Sequence, residues 1–133
     1  MHILFIEDDK IETMKMQRTV SKLQVKHKIT EVNNGEKALE ILKTSSRLPD
    51  IILLDLNMPR MNGIEFLKIL KQDENYKYLP TIILTTSQNR ADLLECYRIG
   101  IAGYIIKPLK YQDYEGKIQK VFSYWEVNEL VKS

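Results

Sequence analysis

Short apolar runs alternate with longer segments of helical spacing along the whole chain. The runs are ILFI (3–6), a weaker KITEV (28–32), IILL (51–54), TIIL (81–84) and YII (104–106). Ile51 to Leu54 shows no polar alternation, which predicts a strand buried on both faces. Between the runs, apolar residues recur at three- and four-residue steps. Met16, Val20 and Leu23 follow the first run, and Ala38, Leu39, Ile41 and Leu42 follow the second. Ile64, Leu67 and Leu70 come next, then Leu93, Leu94 and Tyr97, and finally Tyr114, Ile118, Val121 and Trp125. Five strands alternating with five helices predict βα units and a parallel sheet covered on both sides. The punctuation agrees: Asn34-Gly35 opens the second helix, Pro49 and Pro80 precede strands, and Gly100 and Gly103 end the fourth helix.

Five strands in 133 residues suit a doubly wound α/β sheet of the flavodoxin-like order 2-1-3-4-5. A dinucleotide-binding domain is disfavoured, because the first strand runs into EDDK and not into a glycine-rich turn. No linker, repeat or low-complexity segment divides the chain, so a single domain over residues 1–133, without an output domain, is expected. A net charge of +2 with scattered Lys and Arg argues against nucleic acid and against an anionic membrane as partners. The N-terminal apolar run is too short for a signal peptide or a membrane span. Together with the lone Cys96, read as a partly buried helix residue, this predicts a cytoplasmic protein.

The chemistry collects where the strands end. In open parallel sheets the functional crevice lies beyond the carboxyl ends of the strands. Strand one delivers Glu7, Asp8 and Asp9 there; strand three delivers Asp55 and Asn57, ahead of Met58-Pro59. Strand four delivers Thr85, Thr86 and Ser87, and strand five delivers Lys107 before Pro108. Taken singly, Asp8 or Asp9 reads as a helix N-cap, Asp55 as a turn residue and Lys107 as a solvated strand end. Those readings leave unexplained why four strand ends turn polar on one side. Clustered acids repel, and either raised pKa values or a bound cation must relieve them. Oxygen-only ligands with open positions suit Mg²⁺. A carboxylate beside a cation, an ammonium and a hydroxyl is equipped to receive a phosphoryl group. Asp55 is the expected nucleophile, with Lys107 neutralising phosphoryl oxygens and Thr85 donating a hydrogen bond to one of them.

With FIEDD, ILLDLNMPRMNG, ILTTS and GYIIKPL in that order, the chain resembles the receiver domains of two-component response regulators. The separations of 30 residues from Asp55 to Thr85 and 22 from Thr85 to Lys107 fit that family. The resemblance implies Asp55 as phosphoacceptor, Asp8 as a direct Mg²⁺ ligand, Glu7 acting through water and the Asn57 carbonyl completing the shell. It also implies a switch pair, Thr85 and Tyr104, and a cis bond before Pro108, which an X-Pro peptide permits at modest cost. Thr86 departs from the commonest pattern, where a smaller residue stands beside the pocket. The ending FSYWEV is similar to stand-alone receivers that serve phytochrome-type kinases.

The implied partners are a histidine kinase or phosphotransfer protein and a downstream protein target. Signal output is expected through helix 4, strand 5 and helix 5. Beyond the stripe of the last helix, Phe122, Tyr124, Val127, Leu130 and Val131 remain, which predicts a symmetric homodimer on that surface. Two rival functions use the same residues. One is a phosphorylation-independent interaction module; the other is a small Mg²⁺-dependent phosphatase, disfavoured because no further general base is evident.

Overall fold

A computed structural model describes residues 1–24 and 26–131. Five parallel strands, β1 (His2–Ile6), β2 (Lys28–Val32), β3 (Ile51–Leu54), β4 (Thr81–Thr85) and β5 (Gly103–Ile106), stand in the order β2-β1-β3-β4-β5. The connecting helices are α1 (Lys10–Leu23), α2 (Gly35–Thr44), α3 (Gly63–Gln72), α4 (Arg90–Ile99) and α5 (Tyr111–Glu126). None of them is long and apolar enough to cross a membrane.

Side chains of β3 alternate between two cores. Ile51 and Leu53 join Met16 of α1 and Tyr114, Ile118, Val121 and Phe122 of α5. Ile52 and Leu54 join Ala38 and Leu42 of α2, Phe66, Leu67 and Leu70 of α3, and Cys96 of α4. The period of two sends neighbouring residues to opposite faces, so a strand covered on both sides must be apolar throughout. Burial of each such side chain contributes about 1.5–3 kcal/mol. The chain thus has no reason to place a charge on β3 before its end.

Two helices differ from the sequence expectation. In α4 the fully buried residue is Cys96, whereas Leu94 and Tyr97 are exposed. Cys96 lies three residues from Leu93, and that alternative stripe brings a small side chain close to the sheet. Burial pushes its thiol up to about 11, so it serves as an apolar packing group. In α5, Phe122 is buried with the stripe, and Leu130, beyond the end of the helix, packs partly against the same core. Tyr124, Val127 and Val131 are the ones left exposed.

The hydroxyl of Tyr114 is buried without a hydrogen-bond partner among the described residues. An orphaned buried hydroxyl costs about 1–3 kcal/mol. Tyr114→Phe is therefore expected to leave stability unchanged or raise it by about 1 kcal/mol, measured by urea unfolding. A loss of more than that would assign the hydroxyl a partner.

Candidate functional site

Asp9 caps α1: its Oδ1 accepts the Ile11 amide at 2.8 Å. Capping is thereby assigned to Asp9 and not to Asp8, whose exposed carboxylate is free for the crevice. Asp55 sits one residue past β3, anchored by its amide to the Ile6 carbonyl at 3.0 Å, and is 5% exposed. Carboxylate oxygens of Glu7, Asp8 and Asp55 all lie within 4.8 Å of one another. This is the sole group of potential metal ligands of that size among the described residues. Three carboxylates so close repel strongly unless a cation joins them. An all-oxygen donor set of this charge fits a hard divalent ion.

The loop after β3 is held tightly. The Gly63 amide donates to the Leu56 carbonyl at 2.9 Å. Asn62 caps α3 in a reciprocal pair with Glu65, a capping box that fixes where the loop ends. Arg60 adopts a left-handed backbone (φ 65°) to make the turn. Asn57 lies in this loop with its side chain exposed, lining with Asp8, Met58 and Asp92 a cleft of about 370 Å³.

Lys107 is buried and faces the acids. Its Nζ donates to Glu7 Oε1 at 2.5 Å and lies 3.6 Å from Asp55 Oδ1. Burial pushes the Glu7 carboxyl up to about 7; Lys107 opposes that shift and the Asp55 charge adds to it. Burial pulls the Lys107 ammonium down, but the Glu7, Asp55 and Glu12 carboxylates outweigh it and leave it above the ordinary lysine value. The ammonium therefore keeps its charge at neutral pH.

Thr85 is buried at the end of β4, and its Oγ1 accepts the Ser87 amide at 3.2 Å. Tyr104, half-buried against the core on the α4 side, donates its hydroxyl to the Ser87 carbonyl at 3.0 Å. Thr86 is exposed. The expected cis bond before Pro108 is corrected by the structure: no cis peptide bond occurs among the described residues. Even for X-Pro, the trans form is favoured by about 0.5–1 kcal/mol.

One acid near Lys107 is missing from the sequence expectation. Glu12, in the first turn of α1, brings Oε2 to 3.9 Å from Lys107 Nζ. Its signal was present in the pattern, since Glu12 precedes Met16 and Thr19 on the inward stripe of α1.

Comparison with known proteins agrees with this geometry. Residues 3–119 match the family described as response regulator receiver domain. The probable methanogenesis regulatory protein FilR2 of Methanothrix harundinacea is 32% identical over 92% of this chain and 82% of its own. Response regulator Rcp1 of Synechocystis is 30% identical over 92% of this chain and 87% of its own. The crystal structure of the Mn(2+)-bound form of Rcp1 superposes with a TM-score of 0.89, at 30% identity, covering 98% of each chain. The phosphorylated cyanobacterial phytochrome response regulator RcpA superposes with a TM-score of 0.91, at 28% identity, covering 97% of this chain and 96% of that one. Strand order, acidic cluster and matched sequence converge: the chain belongs to the response regulator receiver domains, a family of signalling switches and not of classical enzymes.

Proposed function

We propose that this receiver takes a phosphoryl group on Asp55 from a histidine kinase or phosphotransfer protein, with Mg²⁺ in the acidic cluster. The observation that carries the reading is the nearly buried Asp55 carboxylate, set between two further acids and 3.6 Å from the Lys107 ammonium. An Asp55 Oδ attacks phosphorus, and the new O–P bond forms as the donor's bond to phosphorus breaks, leaving an acyl phosphate. Lys107 moves from Glu7 toward the phosphoryl oxygens, and Thr85 donates its hydroxyl to one of them. Asp8, Asp55, Glu7 through water, and the Asn57 carbonyl are the groups that would hold the cation. When bound, the ion neutralises charge on the cluster and on the incoming phosphate. Acetyl phosphate with Mg²⁺, followed by intact-protein mass, tests the reading. One added phosphoryl group supports it, and unmodified protein after prolonged incubation opposes it.

Asp8 separates the metal role from a capping role. Because Asp9 makes the cap, Asp8→Ala is expected to weaken Mg²⁺ binding strongly and to leave metal-free stability unchanged or higher. Calorimetric Mg²⁺ titration and metal-free thermal unfolding check both halves. A destabilisation of about 1 kcal/mol without metal would return Asp8 to a capping role.

The output proposed runs through α4, β5 and α5, where Leu94, Tyr97, Tyr124 and Val127 are exposed. Two copies pair there about a two-fold axis, an isologous contact that buries the same patch on each. Phosphorylation changes the pairing constant by the five- to 150-fold typical of coupled sites, as an order of magnitude (~1–3 kcal/mol). Sedimentation equilibrium of both forms at micromolar concentration is the check. A monomer in each form assigns the patch to a different protein.

A further inference from the structure

An ammonium has three hydrogens to donate. Lys107 spends one on Glu7 and faces two further carboxylates, Asp55 at 3.6 Å and Glu12 at 3.9 Å. Asp55 and Glu7 belong to the acidic cluster, but Glu12 does not. It comes from a different element, the first turn of α1, and its carboxylate is divided. Oε1 accepts from Lys15 at 3.2 Å near the surface, whereas Oε2 is buried with no hydrogen-bond partner among the described residues. Lys15, which holds Glu12, also lies 5.6 Å over the ring of Tyr114, whose hydroxyl is likewise buried without a partner among the described residues. A buried charged acceptor without a donor is unfavourable, and the nearest buried ammonium is that of Lys107.

We propose that Glu12 is a positioning residue which draws the Lys107 ammonium toward α1, in competition with Asp55 and with a phosphoryl group on it. The inference rests on the phosphorylation proposed for Asp55. Lys107 leaves Glu7 when the acidic cluster is reorganised, and it then has two acceptors on different elements, Asp55 after β3 and Glu12 on α1. Toward Asp55 it neutralises the reacting group; toward Glu12 it is held in reserve. Lys15 anchors the other oxygen and keeps the Glu12 carboxylate aimed inward. The strength of this competition then sets how readily the site accepts phosphate, independently of the residues that carry the chemistry.

Glu12→Gln keeps the size and the Lys15 acceptor but removes the charge. Two measurements on it test the proposal. In metal-free, unphosphorylated protein, the Lys107 Nζ resonance is followed by ¹⁵N NMR; it is expected to shift in Glu12→Gln and to return toward the wild-type position in Glu12→Asp. The rate of phosphorylation by acetyl phosphate with Mg²⁺ is expected to rise by about two- to fivefold in Glu12→Gln. Asp9→Asn is the control, since it removes a nearby charge while Asn caps a helix as well as Asp. It should change the rate much less. Equal acceleration in both variants, or a Lys107 resonance that does not move, would overturn the proposal. Failure of the wild-type protein to accept phosphate would instead count against the reading of Asp55, because the resonance test needs no phosphate.

Discussion

Asp55→Asn is expected to reduce labelling by acetyl phosphate to background while leaving the fold intact. The substitution preserves shape and removes the one property that matters, a carboxylate oxygen able to form an acyl phosphate. Neighbouring oxygens do not replace it. Glu7 is tied to Lys107 at 2.5 Å, and Asp8 is exposed at the rim of the crevice. The same change removes one of three clustered negative charges, so metal-free unfolding should occur at equal or higher temperature than in the wild type. Intact mass reads the first effect and calorimetry the second. Stoichiometric labelling that persists after the substitution would move the acceptor to another residue.

Gly63→Ala is expected to be the most crowded of the glycine-to-alanine changes and strongly destabilising. A Cβ at Gly63 would stand 2.4 Å from the Asp55 carbonyl oxygen and 2.7 Å from Leu56 Cα. Both are backbone atoms, and neither is the far end of a flexible side chain. The Gly63 amide also bonds the Leu56 carbonyl, so the first turn of α3 cannot back away without breaking that bond. Overpacking of this kind costs about 3 kcal/mol, and in a domain of this size that lowers the melting temperature by roughly 10 °C. Phosphorylation of the folded fraction should fall as well, because the displaced atom belongs to Asp55 itself. Gly116→Ala supplies the comparison: nothing lies within 4 Å of its added Cβ, within α5. There the helix gains about 0.5–1 kcal/mol. If both variants melted alike, the loop from Asp55 to Gly63 would be softer than its contacts indicate.

The sheet was legible because its information is one-dimensional. ILFI and IILL are apolar without interruption and TIIL carries only the leading Thr81, and short βα alternation in a parallel sheet suits a strand order of 2-1-3-4-5. The acids, Thr85 and Lys107 were legible because a strand's C-terminal end is itself a sequence position. What escaped was set by packing in three dimensions. Cys96 took the inward place of α4 over Leu94 and Tyr97, since apolar character alone does not choose among adjacent helix positions. Phe122 turned inward beside Val121 for the same reason. The inward place of Glu12 on α1 was visible in the helical pattern, but its pairing with Lys107, 95 positions away just past β5, is announced by no local pattern.

Ser87 gives the β4–α4 connection a single knot. Thr85 grips its amide, Tyr104 grips its carbonyl, and its own hydroxyl donates to Asp92 Oδ2 at 2.7 Å in the first turn of α4. Thr85 and Tyr104 therefore need not touch one another to act together. When the Thr85 hydroxyl turns to a new acceptor, the Ser87 amide loses its lone tether from β4, and the peptide that Tyr104 holds from the other side is free to tilt. On the phosphorylation proposed for Asp55, a chemical event at one atom would thereby reach a helix end and an aromatic ring together. Four hydrogen bonds meet at this one residue, the fourth being the Asn89 amide donating to its hydroxyl at 3.3 Å, so a displacement of Ser87 is felt on both sides of the connection.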